Sequence, residues 1–166
     1  MAKAREIPGL STELPYGEVA ARVLEVRCDE LMSHSENVLD VGRIEGVHDM
    51  RVATRRLRAA IEVFWPCFPR KPRKAVLAEV KALADALGER RDRDVAIAVL
   101  REFAESMPHP DRPGIASLAS EFEAEQNVAN NGLAGNIEPA RLERLRDELL
   151  SLAEAARRAA HPEGDE

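Results

Sequence analysis

The sequence predicts an all-α protein, an antiparallel bundle of about five to six helices. Ala, Leu, Glu and Arg are frequent and aromatic residues make up only 4% of the chain, a composition that favours helices over strands. Apolar residues recur at intervals of three and four along most of the sequence. Short segments rich in proline and glycine separate these stretches, and helices joined by short turns pack as antiparallel neighbours.

The length of 166 residues suits one domain with its own core. We predict a flexible arm over residues 1–15, one helical domain over 16–160 and a frayed tail over 161–166. The sequence has no apolar run long enough to span a bilayer and no secretion signal near its start. We therefore expect a cytoplasmic protein without membrane contact.

The apolar spacing defines each helix in turn. The predicted helices cover residues 16–40, 47–65, 73–87, 92–107, 115–130 and 139–160. Gly42 and Gly46 bracket a turn before the second helix, and Pro66 and Pro69 end that helix. Gly88 is the expected C-terminal stop of the third helix.

Turn residues also delimit the later helices. A loop is predicted from Pro108 to Gly114, and a turn through Asn131, Gly132 and Gly135. Asp92 and Asp94 are expected to start the fourth helix, where carboxylates cap the backbone and favour the helix dipole.

The net charge of −6 is unevenly distributed. Residues 43–101 carry 14 Lys and Arg against 8 Asp and Glu, a balance of +6, so the rest carries −12. Such asymmetry indicates a local basic surface on an acidic body. An acidic remainder discourages indiscriminate binding of anions.

The basic surface is expected on the second helix. At about 100° per residue, its apolar residues fall on one side. These are Met50, Ala53, Leu57, Ala60, Ile61 and Phe64. On the opposite side a row is formed by His48, Arg51, Arg55 and Arg58, with Arg56 beside it.

Several arginines along one face match an extended polyanion, because each guanidinium can bond two phosphate oxygens. A histidine in the row gains a proton more readily beside a phosphate. Arginines are also common on solvated helix faces. However, like charges one turn apart repel, and the predicted helix has few acids, so a ligand explains the row better than solubility does. Lys74 and Lys81 on the next helix either widen this surface or are merely solvated.

Two segments resemble a known family. Residues 47–64 resemble the signature helix of the CHAD family, the conserved-histidine alpha-helical domain. Residues 87–95, Leu-Gly-Glu-Arg-Arg-Asp-Arg-Asp-Val, resemble its second recurring segment, a leucine-glycine turn leading into an Arg-Asp-x-Asp-Val helix start. The resemblance covers about residues 40–105. It implies an all-helical fold, non-catalytic binding of inorganic polyphosphate, and association with polyphosphate granules.

The resemblance also implies which residues contact phosphate. Carried over by position, these are His48, Arg51, Arg55, Arg56 and Arg58, with Lys74, Lys81 and Arg91 as weaker transfers. The family usually contains two bundles whose basic helices face one another, whereas this chain has one such helix. Either a second chain supplies the other half, or this is a reduced member with weaker binding; we predict a homodimer. The helices predicted over residues 115–130 and 139–160 are the candidate contact surfaces of that dimer.

Other functions remain open at this level. The His48–Asp49 dipeptide is found in metal-dependent HD phosphohydrolases, and His34 with Asp85, Asp92 or Asp94 are conceivable further ligands. Against this, Asp49 lies about 100° around the helix from His48, and the arginines repel a divalent cation. Nucleic acid is disfavoured by the scarcity of aromatic residues and the net acidity, and an acidic protein partner is a third possibility.

No cofactor is expected, because the sequence has no glycine-rich phosphate loop and no cluster with metal-ligand spacing. Cys28 and Cys67 stand alone within helical patterns, so we expect two reduced and mostly buried thiols.

Overall fold

The computed structural model describes residues 3–161 and is all-α, as predicted. It contains five α-helices and two short 3-10 turns, Trp65–Cys67 and His109–Asp111, with no strand among residues 3–161. In chain order the helices are α1 Tyr16–Ser33, α2 Ile44–Val63, α3 Arg70–Ser106, α4 Arg112–Asn136 and α5 Pro139–Ala160. Most of the predicted tail, residues 162–166, and the first two residues of the predicted arm lie outside the described residues. Each helix in residues 3–161 is too short or too polar to cross a bilayer.

Helices α1 and α2 run antiparallel. The rings of Tyr16 and Phe64 lie 5.1 Å apart at one end, and Glu30 near the C-terminal end of α1 contacts Arg56, which lies further back along α2. Helix α5 covers the other side of α1, where Arg157 bonds Glu18 at 3.0 Å.

Helix α3 returns alongside α2. Arg73 of α3 donates to the carbonyl of Trp65, in the 3-10 turn just after α2, and Arg91 donates to the Ile44 carbonyl at the start of α2. The first half of α3 therefore closes a four-helix core with α1, α2 and α5. The core contains the buried apolar side chains of all four helices, with Leu133 added from α4.

Helix α4 packs mainly on the second half of α3. Arg101 pairs with Glu123 at 2.7 Å, and Gln126 donates to Asp94 at 2.6 Å. This antiparallel pair extends beyond the four-helix core.

The predicted break at Gly88 is wrong, because α3 continues through it as one helix of 37 residues. A left-handed C-cap glycine would have a positive φ, and among the described glycines only Gly9 has one. Buried residues occur on both sides of Gly88, from Leu87 to Arg90 and Asp94. Packing against α2 and α4 thus keeps the backbone helical where the local sequence suggests a stop.

Other predicted boundaries are also corrected. Helix α1 ends at Ser33, so the segment 34–43 is a connection instead of helix. Helix α2 begins at Ile44, which places Gly46 inside it. The predicted loop near Gly114 is shorter, because α4 starts at Arg112 with a proline in its first turn, a position that needs no backbone N–H. The predicted turn at 131–135 lies within α4, whose inner face still buries Leu133.

Candidate functional site

Helix α2 separates its two faces as predicted. Its buried side chains form one side: Val47, Met50, Ala53, Thr54, Leu57, Ala60 and Ile61. Phe64 packs against the same core from a partly buried position. On the other side, Arg51, Arg55 and Arg58 are exposed and His48 is partly exposed. We call His48, Arg51, Arg55 and Arg58 the basic row.

Two members of the basic row stand without a counter-ion. Among residues 3–161, neither Arg51 nor Arg55 has a carboxylate within ion-pair distance. They are four residues apart and so lie one above the other on the helix surface. These two exposed guanidinium groups are therefore available to an anion from solvent.

Arg58 is placed differently. Its Nε donates to Glu62 at 2.8 Å, and both side chains are about half exposed. An exposed pair of this kind contributes little stability and is screened by salt. Arg58 is therefore able to exchange Glu62 for a stronger anion.

Arg56 lies outside the row and contacts another helix. Its Nη1 donates to Glu30 of α1 at 2.6 Å, and Arg27 bonds the other oxygen of that carboxylate. Burial raises the pKa of Glu30, but the bonds from the two arginines outweigh it and hold the pKa below its usual value. Since Glu30 is only 1% exposed, the arginines compensate a buried charge, and Arg56 joins α1 to α2.

Helix α3 places Arg91 next to the start of α2. Its Nη1 lies 3.4 Å from the Ile44 carbonyl and 3.9 Å from a carboxylate oxygen of Glu45. His48 follows one turn later on the same helix. The structure therefore brings Arg91 to the N-terminal end of the basic row.

Lys74 and Lys81 are exposed on α3. Arg73 and Arg91 are about five helical turns apart and both contact α2, so the line joining them faces α2. The two lysines lie about 80–100° around the helix from this line, on the side away from the buried Val76. They extend positive charge along the outer surface of α3 beside α2.

The predicted role of Asp94 at a helix start is wrong, since both Asp92 and Asp94 lie inside α3. Asp94 is buried and pairs with the fully buried Arg90, whose Nη2 lies 3.0 Å from its Oδ1. Arg90 also donates to Asn130 of α4 at 2.9 Å. The Arg90–Asp94 spacing of four is visible in the sequence, but nothing local shows that both are buried.

This buried pair also contacts the connection that leads to α2. Arg90 Nη1 lies 3.5 Å from the Val38 carbonyl, and Asn130 donates to the Leu39 carbonyl at 2.9 Å. The second recurring segment therefore holds α3, α4 and the 34–43 connection together, and Arg91 in the same segment contacts the start of α2.

A possible metal-ligand set lies at the first turns of α2. Ligand atoms of Glu45, His48 and Asp49 all lie within 4.8 Å of one another. The angular separation of His48 and Asp49 therefore does not keep their side chains apart, contrary to the sequence argument. His34, Asp85, Asp92 and Asp94, proposed ligands for a phosphohydrolase, form no such set with His48 among the described residues.

The two cysteines are free thiols, as predicted, with Cys28 buried and Cys67 partly buried. Burial raises the pKa of Cys28 to about 12. This thiol is therefore protonated at neutral pH and unsuited to nucleophilic chemistry.

Comparison with known families gives a match over most of the chain. The model of the CHAD domain family matches residues 22–165, which includes all five helices apart from the first turns of α1. No curated protein gives a significant match to the chain.

Proposed function

Because this chain belongs to the CHAD domain family, we propose that it binds inorganic polyphosphate along the basic row of α2 without chemical turnover. The observation that carries this proposal is the pair Arg51 and Arg55, exposed and without a carboxylate partner in residues 3–161. Elsewhere many arginines of the chain are paired with acids, including Arg56, Arg58 and Arg157.

An extended phosphate chain fits this surface better than a compact anion does. The rise of about 1.5 Å per residue separates Arg51 from Arg58 by about 10 Å along α2, so one linear ligand can meet successive guanidinium groups. Each guanidinium forms strong, charge-assisted hydrogen bonds to phosphate oxygens. His48 adds a donor at one end of the row and becomes a cation when protonated.

In this proposal the other basic residues contribute to polyphosphate binding in different ways. Arg58 joins the ligand by releasing Glu62, and Arg91 lies beside the start of the row. Lys74 and Lys81 widen the surface on α3. Arg56 contributes positive potential while it remains bonded to Glu30.

A second copy of the chain is the proposed protein partner. The chain supplies one basic helix, and a two-fold axis would place an equivalent helix opposite it. The candidate contact surfaces predicted from the sequence lie on α4 and α5. Within residues 3–161, α5 has no exposed large apolar side chain and α4 has two that are ten residues apart, Leu118 and Val128. On α3, by contrast, Val95, Val99 and Phe103 are spaced by four residues and share one exposed face. We therefore assign the dimer contact to this face of α3.

The absence of turnover is part of the proposal. Phosphate release from polyphosphate, nucleotides and cyclic nucleotides should stay at background with Mg²⁺, Mn²⁺ or Zn²⁺ present. Metal-dependent release that disappears in His48→Ala would instead support the phosphohydrolase alternative.

A direct comparison of ligands tests the proposed substrate class. Long-chain polyphosphate, single-stranded RNA and an acidic peptide are titrated into the protein at equal ionic strength. The proposal expects polyphosphate to bind most tightly. Tighter binding of RNA, or of the peptide, would assign the basic row to that class of partner instead.

A further inference from the structure

We propose that a cleft beside the buried Asp94 binds a small aliphatic amine in its ammonium form. The cleft has a volume of about 360 Å³ and lies between the second half of α3, α4 and the chain that leads into α2. This volume falls within the range of small-molecule sites, about 300–1,000 Å³. The cleft shares no residue with the basic row, so its ligand is independent of polyphosphate binding.

Asp94 supplies a buried hydrogen-bond acceptor at the wall of this cleft. Arg90 Nη2 lies 3.0 Å from its carboxylate oxygen Oδ1 as an ion pair, and Gln126 donates to the same oxygen at 2.6 Å. The other oxygen, Oδ2, has no hydrogen-bond partner among residues 3–161. Arg90 Nε and Nη2 also make no hydrogen bond in this range, but Arg90 does not line the cleft. A buried acceptor without a partner costs free energy that a donor bound in the cleft recovers.

Gln126 adds a second acceptor on the same wall. Its amide nitrogen is committed to Asp94, so the amide oxygen, which can only accept, is the polar atom that it offers to a ligand. Two acceptors select a ligand that donates hydrogen bonds, and they disfavour an anion such as phosphate. An ammonium group fits, because it carries three donors and its hydrogen bond to a carboxylate is charge-assisted.

The rest of the cleft suits a short hydrocarbon chain. Ile44, Ile97 and Ala98 line it with apolar groups, against which the methylene groups of an amine can pack. Arg101 also lines the cleft and pairs with Glu123 at 2.7 Å. This pairing balances the charge of the arginine and reduces its repulsion of an incoming cation.

A metal ion fits the cleft less well than an amine does. A divalent ion is held by several converging oxygen ligands, and Asp94 belongs to no group of three or more metal-ligating side chains within residues 3–161. Arg90 also lies against this carboxylate. Its charge opposes a doubly charged ion more strongly than a singly charged ammonium group.

Titration of butylamine into the protein tests the site, with butanol as the neutral analogue of the same chain length. Butylamine should bind saturably with one molecule per chain, and butanol should bind at least about tenfold more weakly, the usual loss for a hydrogen bond between charged groups. Ala98→Leu fills the cleft but leaves Asp94 intact, and it should weaken butylamine binding by a similar factor. Ala124→Leu, at an exposed alanine of α4 outside the cleft, is the matched control and should bind as wild type does.

Asp94→Asn should also lose butylamine binding, and Ala98→Leu is needed beside it because the asparagine breaks the ion pair with Arg90. Equal affinity for butylamine and butanol, or undiminished binding in Ala98→Leu, would overturn the amine site. Absence of saturable butylamine binding to wild type would overturn it as well, since water alone would then fill the cleft. Ala98→Leu should bind polyphosphate like wild type, so failure of the amine site leaves the proposed function untouched.

Discussion

Neighbouring arginines on α2 have different surroundings and therefore different expected roles. Arg56 bonds the buried Glu30, whereas Arg51 and Arg55 are exposed without an acidic partner in residues 3–161. Removing the first leaves a buried carboxylate with one arginine fewer. Removing either of the others breaks no ion pair within residues 3–161.

Arg51→Ala and Arg55→Ala should each weaken polyphosphate binding by about 1–3 kcal/mol, the range for a hydrogen bond to a charged group. Their melting temperatures should stay close to that of wild type. Arg56→Ala should do the reverse and lower the melting temperature clearly. Calorimetric titration and thermal melts separate the two effects. Arg144→Ala, an exposed arginine of α5, controls for loss of charge, and an equal loss of affinity there would contradict a localised site.

Stability should fall in mild acid through Glu30. Its folded pKa lies below the ordinary value of 4.5, so the ionised form stabilises the fold above that pH. This contribution is lost as the pH falls from about 4.5 through the folded pKa. Denaturant titrations across this range should show a shallower decline for Glu30→Gln than for wild type. Parallel pH profiles would show that other carboxyl groups cause the loss.

The sequence predicts the two faces of α2 correctly because that prediction depends only on helical periodicity. It could not assign Arg56, since Glu30 lies on another helix 26 residues earlier. The Glu45, His48 and Asp49 set was missed for a related reason. The predicted helix began at Val47, and so Glu45 was assigned to a turn.

At the scale of elements, α3 shows how packing overrides local signals. Gly88 follows a leucine and precedes a charged segment, a pattern typical of a helix end. In the structure, α3 has buried residues before and after Gly88, where it packs against α2 and α4. Gly132 and Gly135 likewise lie inside α4, although the sequence predicts a turn there. Helix existence was predictable from periodicity, while helix ends depended on contacts between distant segments.

Gly88→Ala should stabilise the protein by about 0.5–1 kcal/mol, because alanine loses less backbone freedom in a helix. A Cβ at this position meets no atom within 4 Å, whereas at Gly17 it would lie 2.6 Å from the Ala156 carbonyl oxygen. Gly17→Ala should therefore be destabilising. Chemical denaturation measures both. A destabilising Gly88→Ala would indicate a left-handed residue and restore the predicted helix break.

At the scale of the molecule, the charge is divided between an acidic body and one basic surface. The net charge is −6 although residues 43–101 carry +6. The basic row lies on α2, so one copy offers the ligand one such row. A phosphate chain between two copies would neutralise both rows and relieve their mutual repulsion.

Polyphosphate should therefore promote dimerisation by mass action. Light scattering over a range of concentrations, with and without polyphosphate, measures this directly. Val99→Asp on α3 should abolish the dimer, and Val128→Asp, a similarly exposed valine of α4, should not. A monomer mass in every condition, with undiminished binding, would show that one basic face suffices.

The central claim is that the basic row binds a polyanion by multiple phosphate contacts, and its most direct test is the salt dependence of polyphosphate affinity. Wild type and the Arg51→Ala, Arg55→Ala double variant are titrated in EDTA from low to high salt. Counterion release predicts a linear fall of log affinity with log salt, with a slope of about 0.7 per phosphate neutralised if polyphosphate behaves like a single-stranded nucleic acid. The double variant should lose about two such contacts from the slope. A salt-independent affinity, or equal slopes for both proteins, would contradict the account.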